Sequence, residues 1–200
     1  SLWNFKFEFD SQPGYQKMNK ENKLVPGLPP GFEDRWDKKI LLKKKLLEAI
    51  ENNFIKFGAE ALETPSFEIA ENIGSFLAED EANPMSDVFS FKDGDKNITL
   101  RYDLSSPLAR FYAQNNQELP SIFKRYQIQN VFRNEKAGNG RYREFMQADF
   151  DIIGNVNPAQ ANAELCNLIS STLSDCGLNK DQFTINAVSY THLRAHETSL

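Results

Sequence analysis

The sequence predicts an α+β fold, an antiparallel sheet flanked by helices. Two observations carry this. Residues 97–105, 123–134 and 142–153 alternate apolar and polar side chains, which is the period of a strand. Residues 33–57 and 158–176 instead carry leucines, isoleucines and phenylalanines three and four apart, which is the period of a helix lying on a core.

Taken in chain order, residues 24–30 hold three prolines and a glycine and read as an extended lead-in. A helix is expected from Glu33, with Glu33, Asp34 and Asp37 in first turns where the helix dipole favours them. Its stripe is Leu42, Leu46, Leu47, Ile50 and Phe54, and Gly58 ends it. Residues 59–67 read as a short strand closed by Pro65. A short helix over 68–78 and an acidic loop over 79–87 follow. Strands over 88–92 and 97–105 flank Asp93-Gly94-Asp95-Lys96, a strong hairpin turn. Pro107 suits the first turn of a helix running to Asn115. The next two strands, 123–134 and 142–153, are joined by a loop containing Gly138 and Gly140. The helix over 158–176 presents Leu165, Leu168, Ile169 and Leu173 and stops at Gly177, and residues 183–186 begin another strand.

Composition sets bounds on function. An apolar share of 40% with 16 phenylalanines suits a globular domain, and no apolar run approaches the ~20 residues of a membrane-spanning helix. No charged and then apolar leader is seen, so the expected location is the cytoplasm. The net charge of −5 argues against a chain-wide nucleic-acid footprint, and the lysines at 38, 39 and 43–45 read as the wet face of the first helix. Cys166 and Cys176 form no CxxC pair, and a reduced compartment is the simpler reading.

Both ends read differently from the middle. Residues 188–198 resemble the translation of a sequencing-library adapter, and 188–200 are expected to be a non-native tail. His192 and His196, the two histidines of the chain, fall there, and two ligands are too few for zinc. Residues 1–17 read as an extension upstream of Met18, the alternative being an edge strand over 2–9. The expected native domain is 18–187.

The chemistry sits on the strands. Alternation puts Arg125, Gln127, Gln129, Val131, Arg133 and Glu135 on one face of their strand, and Phe145, Gln147, Asp149 and Asp151 on one face of the next. On residues 98–105 the polar set is Thr99, Arg101, Asp103 and Ser105, and the apolar set is Ile98, Leu100, Tyr102 and Leu104. If the three share a sheet, their polar faces form a floor of Arg, Gln and Asp, side chains suited to directional and forked hydrogen bonds. The alternative is an antiparallel sheet with one wet side. Arg141 and Arg143, beside Gly138 and Gly140, suit phosphate contacts; an exposed basic turn is the plainer alternative.

These residues carry a family resemblance. Val131-Phe132-Arg133-Asn134-Glu135, the run Gly140-Arg141-Tyr142-Arg143-Glu144-Phe145, and then Gln147, Asp149 and Asp151 resemble motif 2 of class II aminoacyl-tRNA synthetases in its histidyl form. Leu100 to Ser105 resembles the family segment that contacts the amino acid, and the first helix with Glu63-Thr64-Pro65 resembles motif 1, the dimer-forming element. The resemblance covers residues 24–186 and implies a class II synthetase-like sheet, truncated, since motif 3, the histidine-specific loop and the anticodon-binding domain are not in the sequence. A fragment inactive by itself is expected.

The resemblance implies a histidine–tRNA ligase using ATP with Mg²⁺, acting on tRNA(His) as a homodimer. Arg133 would be the catalytic residue, holding the α-phosphate and the histidine carboxylate. Glu135, Arg141 and Phe145 would complete the ATP site, at the adenine end, the γ-phosphate and the adenine ring respectively. Asp103, Ser105 and Gln147 would bind the α-amino group of histidine, and Asp151 its imidazole. Asp103 and Asp151 stand where many relatives have glutamate, which shortens the reach by about one methylene and keeps the charge. The alternative is a non-catalytic, synthetase-like regulatory subunit of histidine biosynthesis, whose members depart from the motif 2 set.

Overall fold

The structure, a computed structural model, describes residues 26–73 and 87–186. The expectations for residues 1–25, 74–86 and 187–200 lie outside the described residues.

The first helix, α1, is Lys38–Lys56, five residues later than expected. Asp37 precedes it with φ 47°, outside right-handed helix space, so the chain turns there before the helix starts. Glu33 sits before that turn and accepts a hydrogen bond from Arg35 Nε at 2.7 Å instead of serving the helix dipole. Gly58, at φ 79°, ends α1 as expected. A two-residue strand, β1 (Glu60–Ala61), follows and pairs in parallel with β5 (Ile122–Phe132), which is antiparallel to β6 (Glu144–Gly154). This first sheet has the order β1-β5-β6.

The second sheet is β2-β4-β3, built from β2 (Phe67–Ile69), β3 (Ser90–Asp93) and β4 (Lys96–Leu100). The expected helix over 68–78 therefore begins as a strand and becomes α2 (Ala70–Ile73). β4 also ends early: the chain leaves the sheet at Arg101, and α3 (Ser105–Asn115) starts four residues on. The three alternating segments thus do not share one sheet. They meet end to end, with Phe132 N–H donating to the Arg101 carbonyl at 3.0 Å. Arg101, almost fully buried, reinforces the junction by donating to the carbonyls of Asn130 (2.6 Å) and Thr64 (2.7 Å) and to Gln129 Oε1 (3.0 Å).

The second sheet also inverts the expected faces. Thr99 and Glu68 are buried while Phe67, Ile69 and Phe91 are exposed. Arg110 of α3 explains this: Nε and Nη2 each donate at 2.8 Å to the Glu68 carboxylate, which draws the polar face inward as a forked pair.

The core lies on the even-numbered face of β5 and β6. Phe54 of α1, Tyr126 of β5 and Leu168 of α4 (Pro158–Asp175) are its buried centre, joined by Phe150, Ile128 and Leu165. Phe54 packs its ring 5.6 Å from Tyr126 and 5.5 Å from Phe150. Pro158 and Asn157 start α4, the Asn157 side chain accepting from the Ala159 and Gln160 amides. The first half of α1 reaches past this core, so Leu42 and Leu46 of its stripe are exposed, as is neighbouring Leu41, and so is Ala148 of the core face. No strand forms over 183–186.

Candidate functional site

The β5–β6 register pairs Arg125 with Asp151, Gln127 with Asp149, Gln129 with Gln147 and Val131 with Phe145. The odd-numbered residues of both strands therefore form one face, as alternation requires. That face is not a wet side. Arg125, Gln127 and Val131 are 0% exposed, and α3 with the segment before it covers the far end: Phe111 meets Phe123 with ring centroids 6.3 Å apart, and Leu104 is buried.

At this deep end the charges are enclosed. Arg125 Nη2 lies 2.7 Å from Asp151 Oδ2, an ion pair that is close but poorly aligned as a hydrogen bond, and the same nitrogen donates to the Leu104 carbonyl at 3.1 Å. Arg125 Nη1 donates to Gln127 Oε1 at 3.3 Å. Burial raises the Asp151 carboxyl above its ordinary range, with Arg125 pulling the other way. Burial likewise raises Asp149, opposed by Arg125 and reinforced by Asp151 and Asp103. Asp103 is not on a strand. Its Oδ1 accepts from the Ser106 amide at 3.0 Å, which serves the start of α3. Ser105 opens that helix and is exposed.

At the open end the site is made of Arg133, Glu135, Arg141, Phe145 and one residue that the sequence reading left among apolar positions, Tyr102. The Arg133 guanidinium lies over the Tyr102 ring at 4.4 Å and over Phe145 at 5.1 Å, and its Nε donates to the Tyr102 carbonyl at 3.4 Å. Tyr102 Oη donates to Glu135 Oε1 at 3.1 Å. Arg141 Nε donates to Glu135 Oε2 at 2.7 Å, with its Nη2 also on that oxygen. Burial opposes ionisation of Glu135, but hydrogen bonds from Arg141 and Tyr102 outweigh it and hold the carboxyl below its usual range. Burial and the bond to Glu135 push the Tyr102 phenol up. Arg141 is thus turned onto Glu135, and Phe145 is covered by Arg133.

Gln147 stands between the two ends, opposite Gln129. Its Oε1 is buried with no hydrogen-bond partner among the described residues, an acceptor aimed at no protein donor.

Alternation put Arg125 on this face but gave no sign of its enclosure, nor of the contacts that Arg143 makes. Arg125 looked like any polar strand residue, because burial of a charge depends on partners distant in sequence. Arg143, beside the tip, lays its guanidinium 4.6 Å from the Phe89 ring and receives the lead-in: its amide donates to the Gly31 carbonyl at 2.8 Å. Gly31 has φ 83°, and a Cβ there would stand 2.6 Å from Arg143 Cγ. Among the described residues no group of three or more His, Cys, Asp or Glu could hold a metal ion.

Residues 31–194 match the family model described as histidyl-tRNA synthetase. Over 169 residues the chain is 78% identical to a histidine–tRNA ligase of Pelagibacter ubique (strain HTCC1062), covering 84% of this chain and 36% of that protein. A histidine–tRNA ligase of Rhodopseudomonas palustris (strain TIE-1) is 40% identical over 171 residues, covering 85% of this chain and 33% of that one. The chain thus spans about a third of the length of these curated relatives. Among solved structures, histidyl-tRNA synthetase from Nostoc sp. PCC 7120 superposes with a TM-score of 0.62 at 26% identity, covering 74% of this chain and 34% of that one. A protein described as an ATP phosphoribosyltransferase regulatory subunit/histidyl-tRNA synthetase from Bacillus halodurans C gives 0.68 at 23% identity over 80% of this chain and 40% of that one, a likeness of fold. On the strength of the family match over residues 31–194 and the 78% identity over 169 residues, the chain belongs to the histidyl-tRNA synthetase family.

Proposed function

We propose that the full-length protein is a cytoplasmic histidine–tRNA ligase, and that residues 18–187 are part of its catalytic domain. It would activate histidine with ATP and transfer the histidyl group to tRNA(His). The observation that carries this is the single face of the β5–β6 hairpin, with carboxylates around an enclosed arginine at one end and an arginine set at the other.

Histidine brings an ammonium, an imidazole and a carboxylate. Asp103, Ser105 and Gln147 would receive the ammonium; the unpartnered Gln147 Oε1 supports that role. Asp151 would take an imidazole N–H. Arg133 would sit where the histidine carboxylate meets the α-phosphate, and as the catalytic residue it would stabilise the charge that develops there. In that step a carboxylate oxygen bonds to the α-phosphorus, the bond from that phosphorus to the bridging oxygen breaks, and pyrophosphate leaves with the electron pair. No side chain is needed as general base, because the attacking carboxylate is already ionised. The tRNA 3′-terminal hydroxyl then attacks the acyl carbon, releasing AMP.

ATP binding requires a rearrangement at the open end. Arg141 would exchange Glu135 for the γ-phosphate, which frees Glu135 to accept from the adenine amine. Arg133 would move off Phe145 so that the ring can stack on adenine. The Mg²⁺ that the family implies finds no protein cage among the described residues, and Glu135 is a carboxylate in contact with a tip arginine. The homodimer would form through the motif 1 region, where Leu42 is 68% exposed beside Leu41 and Leu46.

The test is histidine-dependent exchange of pyrophosphate into ATP by the full-length protein. Exchange that needs histidine is expected. Histidine binding without exchange would instead fit the regulatory alternative.

A further inference from the structure

We infer that Arg125 is a positioning residue for the amino-acid subsite: its enclosed guanidinium fixes the Asp151 carboxylate against the 103–105 segment and so sets affinity for the histidine side chain. The inference rests on the function proposed above and extends it to a residue that would never touch substrate.

Burial is the first argument. Arg125 is 0% exposed at the centre of a sheet face. Taking a guanidinium out of water is costly, and apolar replacements of buried ion pairs are often as stable or more so. Stability alone therefore gives little reason for a charge here. Connectivity is the second. One nitrogen, Nη2, contacts both Asp151 on β6 and the Leu104 carbonyl. Leu104 lies between Asp103 and Ser105, so the guanidinium ties the strand of the proposed imidazole contact to the segment of the proposed ammonium contacts. Charge is the third argument. Asp103, Asp149 and Asp151 all act on this one guanidinium. Three carboxylates against one fixed cation leave an acidic excess for a cationic ligand, while Arg125 opposes the rise that burial imposes on Asp151, the carboxylate nearest it. Ionised, Asp151 only accepts hydrogen bonds, which matches an imidazole N–H; protonated, it would present a donor as well.

The experiment compares Arg125→Met and Arg125→Lys with the unmodified full-length protein in pyrophosphate exchange, measuring KM for histidine and for ATP, kcat, and melting temperature. Arg125→Met should raise the histidine KM by about tenfold or more, as displacement of a site's hydrogen-bonding groups does, with the ATP KM within about twofold. Arg125→Lys keeps the charge without the fork, so it should rescue part of the loss. Should Arg125→Met fail to fold, Arg125→Lys alone decides, by raising the histidine KM and leaving that for ATP. Equal rises in both KM values, or a histidine KM unchanged in the folded variants, would overturn the inference while exchange by the unmodified protein upholds the proposed function. No exchange by the unmodified protein overturns the function and this inference together.

Discussion

The two ends of the β5–β6 hairpin carry similar residue types under opposite physical conditions. At the deep end Arg125 is wholly enclosed, and its partners come from β6 and the start of α3. At the tip Arg141 is 62% exposed and pairs with Glu135 only six residues away. A charge pair in water is worth little and is easily exchanged, whereas an enclosed pair is costly to break. The deep end is thus assembled before any ligand arrives. The tip is satisfied by its own side chains, an exposed pair that the proposed function would have it trade for phosphates.

The largest test of this contrast is at Arg133, the proposed catalytic residue at the open end. Arg133→Ala in the full-length protein should reduce the rate of histidyl-adenylate formation by about 10²-fold or more, read by pyrophosphate exchange, as loss of a preorganised charge stabiliser does. A near-normal rate would contradict the role given to Arg133.

Next comes the deep pair. Asp151→Ala leaves Arg125 enclosed without its nearest counter-charge. A loss of about 2 kcal/mol in urea unfolding is expected, below the usual range for broken buried pairs because Asp151 is itself about a third exposed. No loss of stability would mean that the two ends do not differ as described.

A third test uses pH. Burial holds the Asp149 carboxyl above its ordinary value in the folded protein. The folded state therefore keeps a proton that the unfolded chain has lost, and Asp149 costs stability as pH rises from its unfolded value through its folded one. Asp149→Asn should be more stable than the unmodified protein at neutral pH, with the advantage shrinking as pH falls into the ordinary carboxylate range. Glu135 has the opposite sign. Its depressed folded value contributes stability above its unfolded range that is lost as pH falls through the folded one.

The smallest effect sharpens the contrast from the other side. Arg141→Ala should change unfolding free energy by less than about 1 kcal/mol, as exposed pairs do, while raising the KM for ATP. A larger stability loss would make the tip part of the frame.

The same contrast explains what could be read in the sequence. The hairpin was legible because its pairing is local and both strands alternate over eleven residues, so Gln147, Asp149 and Asp151 fall on the face predicted for them. The segment after β4 was not. Thr99, Arg101, Asp103 and Ser105 keep the alternation of a strand, but Asp103 serves the start of α3 and Arg101 is drawn into carbonyls of two other segments. Local side-chain bonds there override the period. The start of α1 failed similarly, since acidic residues mark a helix start only where the backbone permits one, and Asp37 turns the chain first. Arg125 was on the right face, but its enclosure comes from Leu104 and Asp151, far from it along the chain.

Gly31 has a consequence for anyone who redesigns the protein. With no side chain of its own, it lets the lead-in lie directly on Arg143 at the mouth of the hairpin. Even an alanine there would act as a wedge, levering Arg143 off Phe89 and altering the tip from outside the proposed ATP-contacting set. Libraries that vary the lead-in for expression or solubility would then select, unknowingly, on the shape of the hairpin's mouth.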